Sequence, residues 1–288
     1  MKSTSFEYVR ARSIDEVFVF LGKHGDEAKI LAGGQSLLPA MNMRLAAPEV
    51  LIDVSQIPDL QGIEMLGNRL RIGAMSRHVD VLNSSKVAEH TPLIASATRN
   101  VAHPAIRNRG TFGGSLCHAD PASELPACAL ALGASFNIQN RSGSRAVKAK
   151  DFFQGTYTTC LEDDEILTSV DVPLAPADTM TFFEEFSRRK GDYAMAGLAA
   201  RAEIQGQQIN DVKLVFFAVS DVATSAQSAE KLLSGALLGT VDTEAICQAV
   251  SGDITPFDDL TTSGATKSAL MKTLTRRALQ AFATQGEA

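Results

Sequence analysis

The amino-acid sequence predicts a mixed α+β fold with two domains. The chain has 288 residues, which is the length of about two average domains. Short apolar segments of strand length alternate with segments whose apolar residues recur at helical spacing, a mixture typical of α+β proteins. Pro173 and Pro176 interrupt regular structure after the first set of strands and mark the predicted domain boundary.

In the first domain, Ser13 and Glu16 form a capping box that predicts a helix through about residue 21. Gly67 and Asn68 predict the turn of a β-hairpin between residues 60–65 and 69–73. The long polar stretch at residues 103–126 is predicted to be a loop. The other elements predicted in this domain are strands at residues 29–31, 50–54, 135–139, 145–148 and 166–172, and helices at residues 76–82 (capped by Ser76), 92–102 and 127–132.

The second domain is predicted to begin with strands and end with helices. Strands are expected at residues 182–188 and 212–219. Residues 206–208 are predicted to form the turn between a further, preceding strand and the strand at residues 212–219. Apolar residues at helical spacing predict helices at residues 226–233, 243–250 and 265–282.

The composition excludes several classes of protein. Hydrophobic residues make up 45% and charged residues 21% of the chain, as in ordinary globular proteins. A net charge of −6 argues against nucleic-acid binding by bulk electrostatics. No apolar run approaches the roughly 18 residues of a membrane span, and residues 1–7 lack a secretory signal. We therefore expect a cytoplasmic protein without a membrane span.

Cysteine and histidine provide no metal-binding pattern. The four cysteines form no C-x-x-C pair, and the five histidines are scattered. This spacing predicts neither a disulfide framework nor a metal site. Three of the histidines, His24, His78 and His90, are expected at the surface.

Two glycine pairs point to a bound phosphate group. Neither lies in a G-x-G-x-x-G or a G-x-x-x-x-G-K-[ST] motif, so neither a Rossmann nor a P-loop site is predicted. Glycine lets the backbone approach a ligand closely, and consecutive N–H groups can hold an anion. Each pair taken alone is also explained as a tight turn. The first glycine segment consists of Ala32, Gly33, Gly34, Gln35 and Ser36, and the second glycine segment consists of Gly110, Thr111, Phe112, Gly113, Gly114 and Ser115.

Acidic residues and histidines accompany the second glycine segment. Asp120 and Glu124 can hydrogen-bond ribose or ribityl hydroxyls, or they can cap the helix predicted near Pro126. His103 and His118 lie in or beside the segment, where contact with the ligand and a role in the loop itself are both open.

The glycine segments, with residues 103–109, 165–167 and 188–194, resemble the FAD-binding medium subunit of molybdenum hydroxylases. This family includes subunits of bacterial carbon monoxide dehydrogenase, of xanthine dehydrogenase and of enzymes that hydroxylate N-heteroaromatic compounds such as quinoline, isoquinoline and nicotine. The resemblance covers essentially the whole chain.

The resemblance implies the fold and the residues that bind FAD. Residues 1–177 resemble a two-lobed FAD-binding domain of the vanillyl-alcohol-oxidase (PCMH) type, and residues 178–288 a flavoprotein C-terminal domain with a three-stranded sheet and helices. Within the two glycine segments, residues 32–36 and 111–115 would surround the pyrophosphate and ribityl chain of FAD. Glu124 would contact FAD hydroxyls, Ile166 and Leu167 would pass the flavin ring, and Tyr193 would cover it. A half-buried strand position is the alternative for Tyr193.

The resemblance also implies that this chain transfers electrons and holds no catalytic residue or metal of its own. A small partner would carry 2Fe-2S clusters, and a large partner would oxidise the substrate at molybdopterin cytosine dinucleotide, in a dimer of heterotrimers. Gln35 replaces a histidine of the carbon monoxide branch, which favours an N-heteroaromatic substrate. Ser115 replaces an asparagine of many relatives, and Met195 a lysine of animal xanthine dehydrogenases, which argues against NAD as acceptor.

Three alternatives remain at this point. The chain can be the medium subunit of an aerobic carbon monoxide dehydrogenase. It can be a self-contained flavin oxidase, although no part of the chain is left to form a substrate domain. It can also be a binding module that has lost its flavin, against which the presence of both glycine segments argues.

Overall fold

The computed structural model describes residues 2–286, and its first lobe is built on a three-stranded parallel sheet. Its elements are β1 (Glu7–Arg10), α1 (Ile14–His24), β2 (Ala28–Leu31), α2 (Leu37–Asn42) and β3 (Val50–Asp53). The strand order is β1-β3-β2, and all four residues of the central β3 are buried. As predicted, the Ser13 hydroxyl accepts a hydrogen bond from the backbone N–H of Glu16, at 3.2 Å, at the start of α1.

The second lobe is a five-stranded antiparallel sheet with helices packed on it. Its elements are β4 (Ile63–Leu66), β5 (Arg69–Gly73), α3 (His78–Asn83), α4 (Ser85–His90), α5 (Pro92–Thr98), α6 (Pro104–Arg107), α7 (Phe112–His118), α8 (Glu124–Ala131), β6 (Ser135–Asn140), β7 (Gly143–Lys148), α9 (Ala149–Phe152), β8 (Phe153–Gly155), β9 (Thr158–Thr159) and β10 (Ile166–Pro173). The sheet order is β4-β5-β10-β6-β7, with β8 and β9 as a separate pair. Gly67, with a φ of 58°, allows the predicted hairpin turn between β4 and β5.

The prediction of a long loop at residues 103–126 is wrong. The stretch contains α6 and α7 and includes the start of α8. Thr111 caps α7, because its hydroxyl accepts a hydrogen bond from the N–H of Gly114 at 3.2 Å. The N–H of Gly113 donates to the carbonyl of Ala74 at 2.8 Å. This cap and this contact outweigh the low helix propensity of the glycine pair.

Several predicted boundaries also differ from the structure. The helix predicted at residues 92–102 ends at Thr98. Arg77, instead of Ser76, precedes the first residue of α3. The carbonyl of Ser76 accepts a hydrogen bond from the N–H of Phe112 at 2.8 Å. Residues 37–42 form α2, which the sequence analysis did not predict. These differences are small shifts except for α2, which directly follows the first glycine segment, and α7, which contains residues 112–115 of the second.

The second domain is an antiparallel sheet covered on one face by helices. Its elements are β11 (Thr179–Ser187), β12 (Ala194–Gln205), β13 (Gln208–Phe217), β14 (Thr224–Ser225), α10 (Gln227–Leu233), α11 (Thr243–Asp253) and α12 (Gly264–Gly286). The three long strands are those that the resemblance implies, and the two-residue β14 adds an edge. One sheet face and the helices bury a core that includes Leu198, Phe216 and Phe282.

The opposite sheet face packs against the second lobe. The rings of Phe183 and Phe217 stack there, with centroids 5.7 Å apart, within the core of that lobe. Ala218 donates its N–H to the carbonyl of Pro121 at 2.8 Å, and Arg201 donates to the carbonyl of Ala131 at 2.7 Å. The second domain is thereby bonded to both ends of the segment that contains α8. Within residues 2–286, no helix has the length and apolar character needed to cross a membrane.

Candidate functional site

A cavity of about 660 Å³ lies between the two lobes, and it is also lined by Gly191, Asp192 and Tyr193 of the second domain. Its volume falls within the roughly 300–1,000 Å³ of ordinary ligand sites. Thirteen of the fourteen residues predicted to contact the cofactor line it: Ala32, Gly33, Gly34, Gln35, Ser36, Thr111, Gly113, Gly114, Ser115, Glu124, Ile166, Leu167 and Tyr193. Phe112 does not, because its side chain is 1% exposed and belongs to the core of the second lobe.

The two glycine segments meet backbone to backbone at this cavity. A Cβ on Gly33 would lie 2.3 Å from the carbonyl oxygen of Arg109 and 2.7 Å from Cα of Gly110. A Cβ on Gly114 would lie 2.6 Å from Oγ1 of Thr111 and 3.4 Å from Cβ of Ala32. Gly33 is therefore required for the close contact of the two segments, and Gly114 for the contact with Thr111 within the second segment.

Neighbouring side chains hold the polar wall of the cavity in place. Asp120 accepts a hydrogen bond from the N–H of Ala122 at 2.9 Å, so it closes a turn before α8 instead of capping that helix. The hydroxyl groups of Ser115 and Ser123 are 3.2 Å apart. Glu124 is the first residue of α8 and faces the cavity. The cavity therefore offers hydroxyl and carboxyl groups beside the second glycine segment.

Glu124 holds its proton at neutral pH. Burial raises the pKa of Glu124 to about 8, and the nearby carboxylates of Glu185 and Asp120 contribute to the increase. Burial also raises the pKa of Glu185, on β11, to about 7. A protonated carboxyl both donates and accepts hydrogen bonds. Glu124 can therefore bind a hydroxyl group in either direction.

The stability of the FAD-free chain is expected to fall as the pH rises from about 4.5 to about 8. Both carboxyls have a higher pKa in the folded chain than the ordinary 4.5. Their contribution to stability is therefore complete below about pH 4.5 and is lost as the pH rises through about 7 and 8. Melting temperatures across this range measure the effect. Glu185→Gln should reduce the fall in melting temperature. The control Glu89→Gln, at a mostly exposed carboxyl, should not reduce it. An equal fall in both variants would contradict the assignment of the effect to the buried carboxyls.

The strand entry at residues 165–167 is fixed by an ion pair that the sequence analysis missed. Glu165 is 8% exposed and accepts two hydrogen bonds from Arg145, both at 2.7 Å. The pair lowers the pKa of Glu165, so this carboxylate is charged. Ile166 and Leu167 follow it directly and line the cavity. The partners are far apart in sequence, so only the pairing of β6 with β10 and β7 brings them together.

One tyrosine and two histidines are also among the residues that line the cavity. Tyr193 is 69% exposed and precedes β12, so the alternative of a half-buried strand residue is wrong. His103 lines the cavity and packs on Gly191, where a Cβ would lie 2.7 Å from its Nδ1. His118 also lines the cavity, and its ring centroid is 4.9 Å from that of Tyr157. Both histidines are placed where contact with a ligand is possible.

The expectation that His78 lies at the surface is wrong. The side chain is 3% exposed and is among the residues that line the cavity. His78 begins α3, and its N–H donates to the carbonyl of Gly110 at 3.0 Å, which draws the ring beneath the second glycine segment. Burial, and to a smaller extent the positive charge of Arg107, lowers the pKa of His78 to about 4. A single histidine in a polar stretch carries no sequence signal for this position.

Comparison with known proteins identifies the family. Residues 4–175 match the family described as FAD binding domain in molybdopterin dehydrogenase, and residues 181–282 match the CO dehydrogenase flavoprotein C-terminal domain. The chain belongs to the FAD-binding medium subunits of molybdenum hydroxylases. The predicted family, fold class and FAD cofactor are thereby confirmed. The predicted boundary after residue 177 falls between the two matched ranges.

Similar medium subunits match over nearly their whole length. The chain is 38% identical to the nicotine 6-hydroxylase medium subunit of Paenarthrobacter nicotinovorans, over 97% of this chain and 98% of that one. Among solved structures, carbon monoxide dehydrogenase of Hydrogenophaga pseudoflava matches with a TM-score of 0.96 and 37% identity, over 99% of both chains. Quinoline 2-oxidoreductase of Pseudomonas putida 86 matches with a TM-score of 0.94 and 35% identity, over 100% of both chains.

The cavity is suited to FAD. Gly33 and Gly114 both line the cavity and, as glycines, present bare backbone to it. A neutral Glu124 lies beside them and can meet a hydroxyl of a ribityl or ribose group. As an FAD-binding medium subunit, the chain is one component of a multi-subunit oxidoreductase.

Proposed function

We propose that this chain holds FAD in a cytoplasmic molybdenum hydroxylase that oxidises an N-heteroaromatic substrate. The meeting of both glycine segments at one cavity supports the placement of FAD there. When bound, FAD accepts electrons from iron–sulfur clusters one at a time and passes them to an external acceptor. The chain binds and orients the cofactor through the glycine segments and Glu124, and Tyr193 covers the exposed side of the cavity.

The assembly that we propose places the other cofactors on partner chains. A small subunit carries 2Fe-2S clusters, and a large subunit carries molybdopterin cytosine dinucleotide, where the substrate is hydroxylated. Two such heterotrimers form a dimer. Met195 supports an acceptor other than NAD, because a lysine stands at the matching position in animal xanthine dehydrogenases.

An N-heteroaromatic substrate is supported by the relatives named for nicotine and quinoline. Gln35, in the first glycine segment, differs from the histidine of the carbon monoxide branch and agrees with this choice. Carbon monoxide is the second candidate, because carbon monoxide dehydrogenase of Hydrogenophaga pseudoflava is about as similar to this chain.

The cofactor content of the complex tests the proposed assembly. The chain should be tagged and purified gently from its own host, and its flavin, iron and molybdenum should be measured. We expect about one flavin, about four irons and about one molybdenum per copy, with two further chains. Flavin without metals or partners would instead support a self-contained flavin oxidase. An absence of flavin, even after addition of FAD, would overturn the assignment of the cavity.

The purified complex also tests the substrate class. With an artificial electron acceptor, nicotine, quinoline and isoquinoline should be compared with carbon monoxide at equal concentrations. Turnover of an N-heteroaromatic compound would support the proposal, whereas turnover of carbon monoxide alone would favour the second candidate. Bleaching of the flavin by substrate in the isolated chain would contradict the division of labour between subunits.

A further inference from the structure

Two features of His78 are not explained by FAD binding through the glycine segments alone. The residue is only 3% exposed to solvent, yet it is among the residues that line the cavity. Its Nδ1 is buried and has no hydrogen-bond partner among the described residues. Buried polar groups are nearly always paired, so the unpaired Nδ1 bears on which ring nitrogen carries the hydrogen.

The unpaired Nδ1 determines which nitrogen carries the hydrogen. The imidazole is neutral at pH 7, because burial holds the pKa of His78 near 4, and a neutral ring has one N–H and one lone pair. Buried N–H groups without an acceptor are rarer than buried acceptors without a donor. The lone pair therefore belongs on Nδ1, and the N–H belongs on Nε2.

Nε2 lies on the ring edge that faces the second glycine segment. It is 3.2 Å, and Cδ2 is 2.8 Å, from the position that a Cβ would occupy on Gly110. Cα of Gly110 in turn contacts Gly33 of the first glycine segment. The N–H of Nε2 is thus located where the two segments meet, at the place proposed for the pyrophosphate.

We propose that His78 donates a hydrogen bond from Nε2 to a pyrophosphate oxygen of FAD. This inference rests on the proposed placement of FAD. Because the ring is neutral, it contributes a fixed donor instead of a mobile positive charge. A hydrogen bond to a charged acceptor contributes about 10- to 100-fold in affinity.

Binding of three ligands to the FAD-free full-length chain tests this contact. His78→Leu should weaken binding of FAD and of ADP, which has the diphosphate without the flavin, by a similar factor of about 10 to 100. Binding of riboflavin, which has no phosphate, should not change. His78→Gln, whose amide nitrogen reaches about as far as Nε2, should stay within about threefold of the wild type.

His24→Leu is the matched control. His24 also has a buried ring nitrogen without a partner, but it ends α1 and is not among the residues that line the cavity. Its replacement should leave all three affinities unchanged. A comparison of melting temperatures separates a loss of binding from a loss of folding.

The possible outcomes distinguish three explanations. Unchanged FAD and ADP binding by His78→Leu would overturn the contact. Equal losses in His78→Leu and His78→Gln would mean that the ring only supports Gly110, which would also overturn it. A wild-type chain that binds no FAD would instead refute the placement of the cofactor.

If His78→Leu fails to fold, nitrogen NMR of the wild-type chain decides. We expect the hydrogen on Nε2 and a change in the Nε2 signal when ADP is added. A hydrogen on Nδ1, or an Nε2 signal that ADP does not change, would overturn the proposal.

Discussion

Replacing Gly33 by alanine is expected to leave the purified complex almost without FAD. A Cβ at this position would lie 2.3 Å from the carbonyl oxygen of Arg109 and 2.7 Å from Cα of Gly110. Both neighbours are backbone atoms, so no side chain can rotate to make room. The two glycine segments must therefore separate. Because we place the pyrophosphate where the two segments meet, the separation moves their backbone groups away from it.

The expected loss of FAD affinity is about 5- to 150-fold, since inserting a methyl group into a tight contact costs about 1–3 kcal/mol and about 1.4 kcal/mol corresponds to tenfold. Flavin released by denaturation, measured per copy of the chain, reports the effect. Circular dichroism should show that the variant keeps its secondary structure, because the change acts on one contact between segments.

Gly22→Ala is the matched control for Gly33→Ala. Gly22 lies in α1, and a Cβ there would meet nothing within 4 Å. This variant should bind FAD normally and gain about 0.5–1 kcal/mol in stability, because alanine loses less backbone entropy than glycine in a helix. Normal flavin content in Gly33→Ala would show that the close contact of the segments is not needed for FAD.

The sequence predicts best where local signals and packing agree. The buried run at residues 50–54 forms β3, and the Gly67-Asn68 turn forms the hairpin of β4 and β5. The region around Gly113 shows the opposite case. Its glycine pair locally favours a loop, but the cap from Thr111 and the contact with Ala74 fold it into α7. A contact across the fold cannot be seen in the local sequence.

The residues of the candidate site also fall into those that a local sequence signal indicates and those that it does not. The glycine segments and Glu124 are candidates because their residue types form a pattern along the chain, and Tyr193 is a candidate because its segment resembles the family. His78 and the Arg145–Glu165 pair are not, because their environment comes from segments distant in sequence. Phe112 shows a further limit: it lies inside a matching motif, but its side chain points into the core. A motif predicts which segment approaches a ligand better than which side chain does.

Removing the partner of the buried Lys267 is expected to destabilise the chain by about 3–5 kcal/mol, the usual cost of leaving a buried charge uncompensated. Lys267, on α12, is 1% exposed. Its ammonium group is 2.8 Å from a carboxylate oxygen of Asp259, donates to the carbonyl of Ala218 at 2.8 Å, and lies 4.2 Å from the ring centroid of Phe257. The ammonium group thereby joins three segments of the second domain.

The two partners of this pair should contribute unequally to stability. Asp259→Ala leaves the ammonium group buried without its counterion, which gives the full loss. Lys267→Met leaves a carboxylate that is one third exposed and still accepts the N–H groups of Thr261 and Thr262. Its loss should therefore be smaller, about 1–3 kcal/mol. Urea unfolding of the full-length chain measures both, and Lys150→Met, at an exposed pair, should change stability by less than about 0.5 kcal/mol.

The same pair predicts how stability responds to acid. The hydrogen bond from Lys267 holds the pKa of Asp259 well below its ordinary value of 3.8. The pair therefore stabilises the fold fully above about that pH, and its contribution is lost as the pH falls below it. Acid unfolding of Asp259→Ala should lack this contribution, so its stability should depend less on pH below about 4.

Loss of the Lys267–Asp259 pair should also weaken FAD binding, because Ala218, which Lys267 holds, is hydrogen-bonded to Pro121 of the first domain. Unchanged FAD affinity in a destabilised Asp259→Ala would show that the second domain does not support the cavity through Ala218.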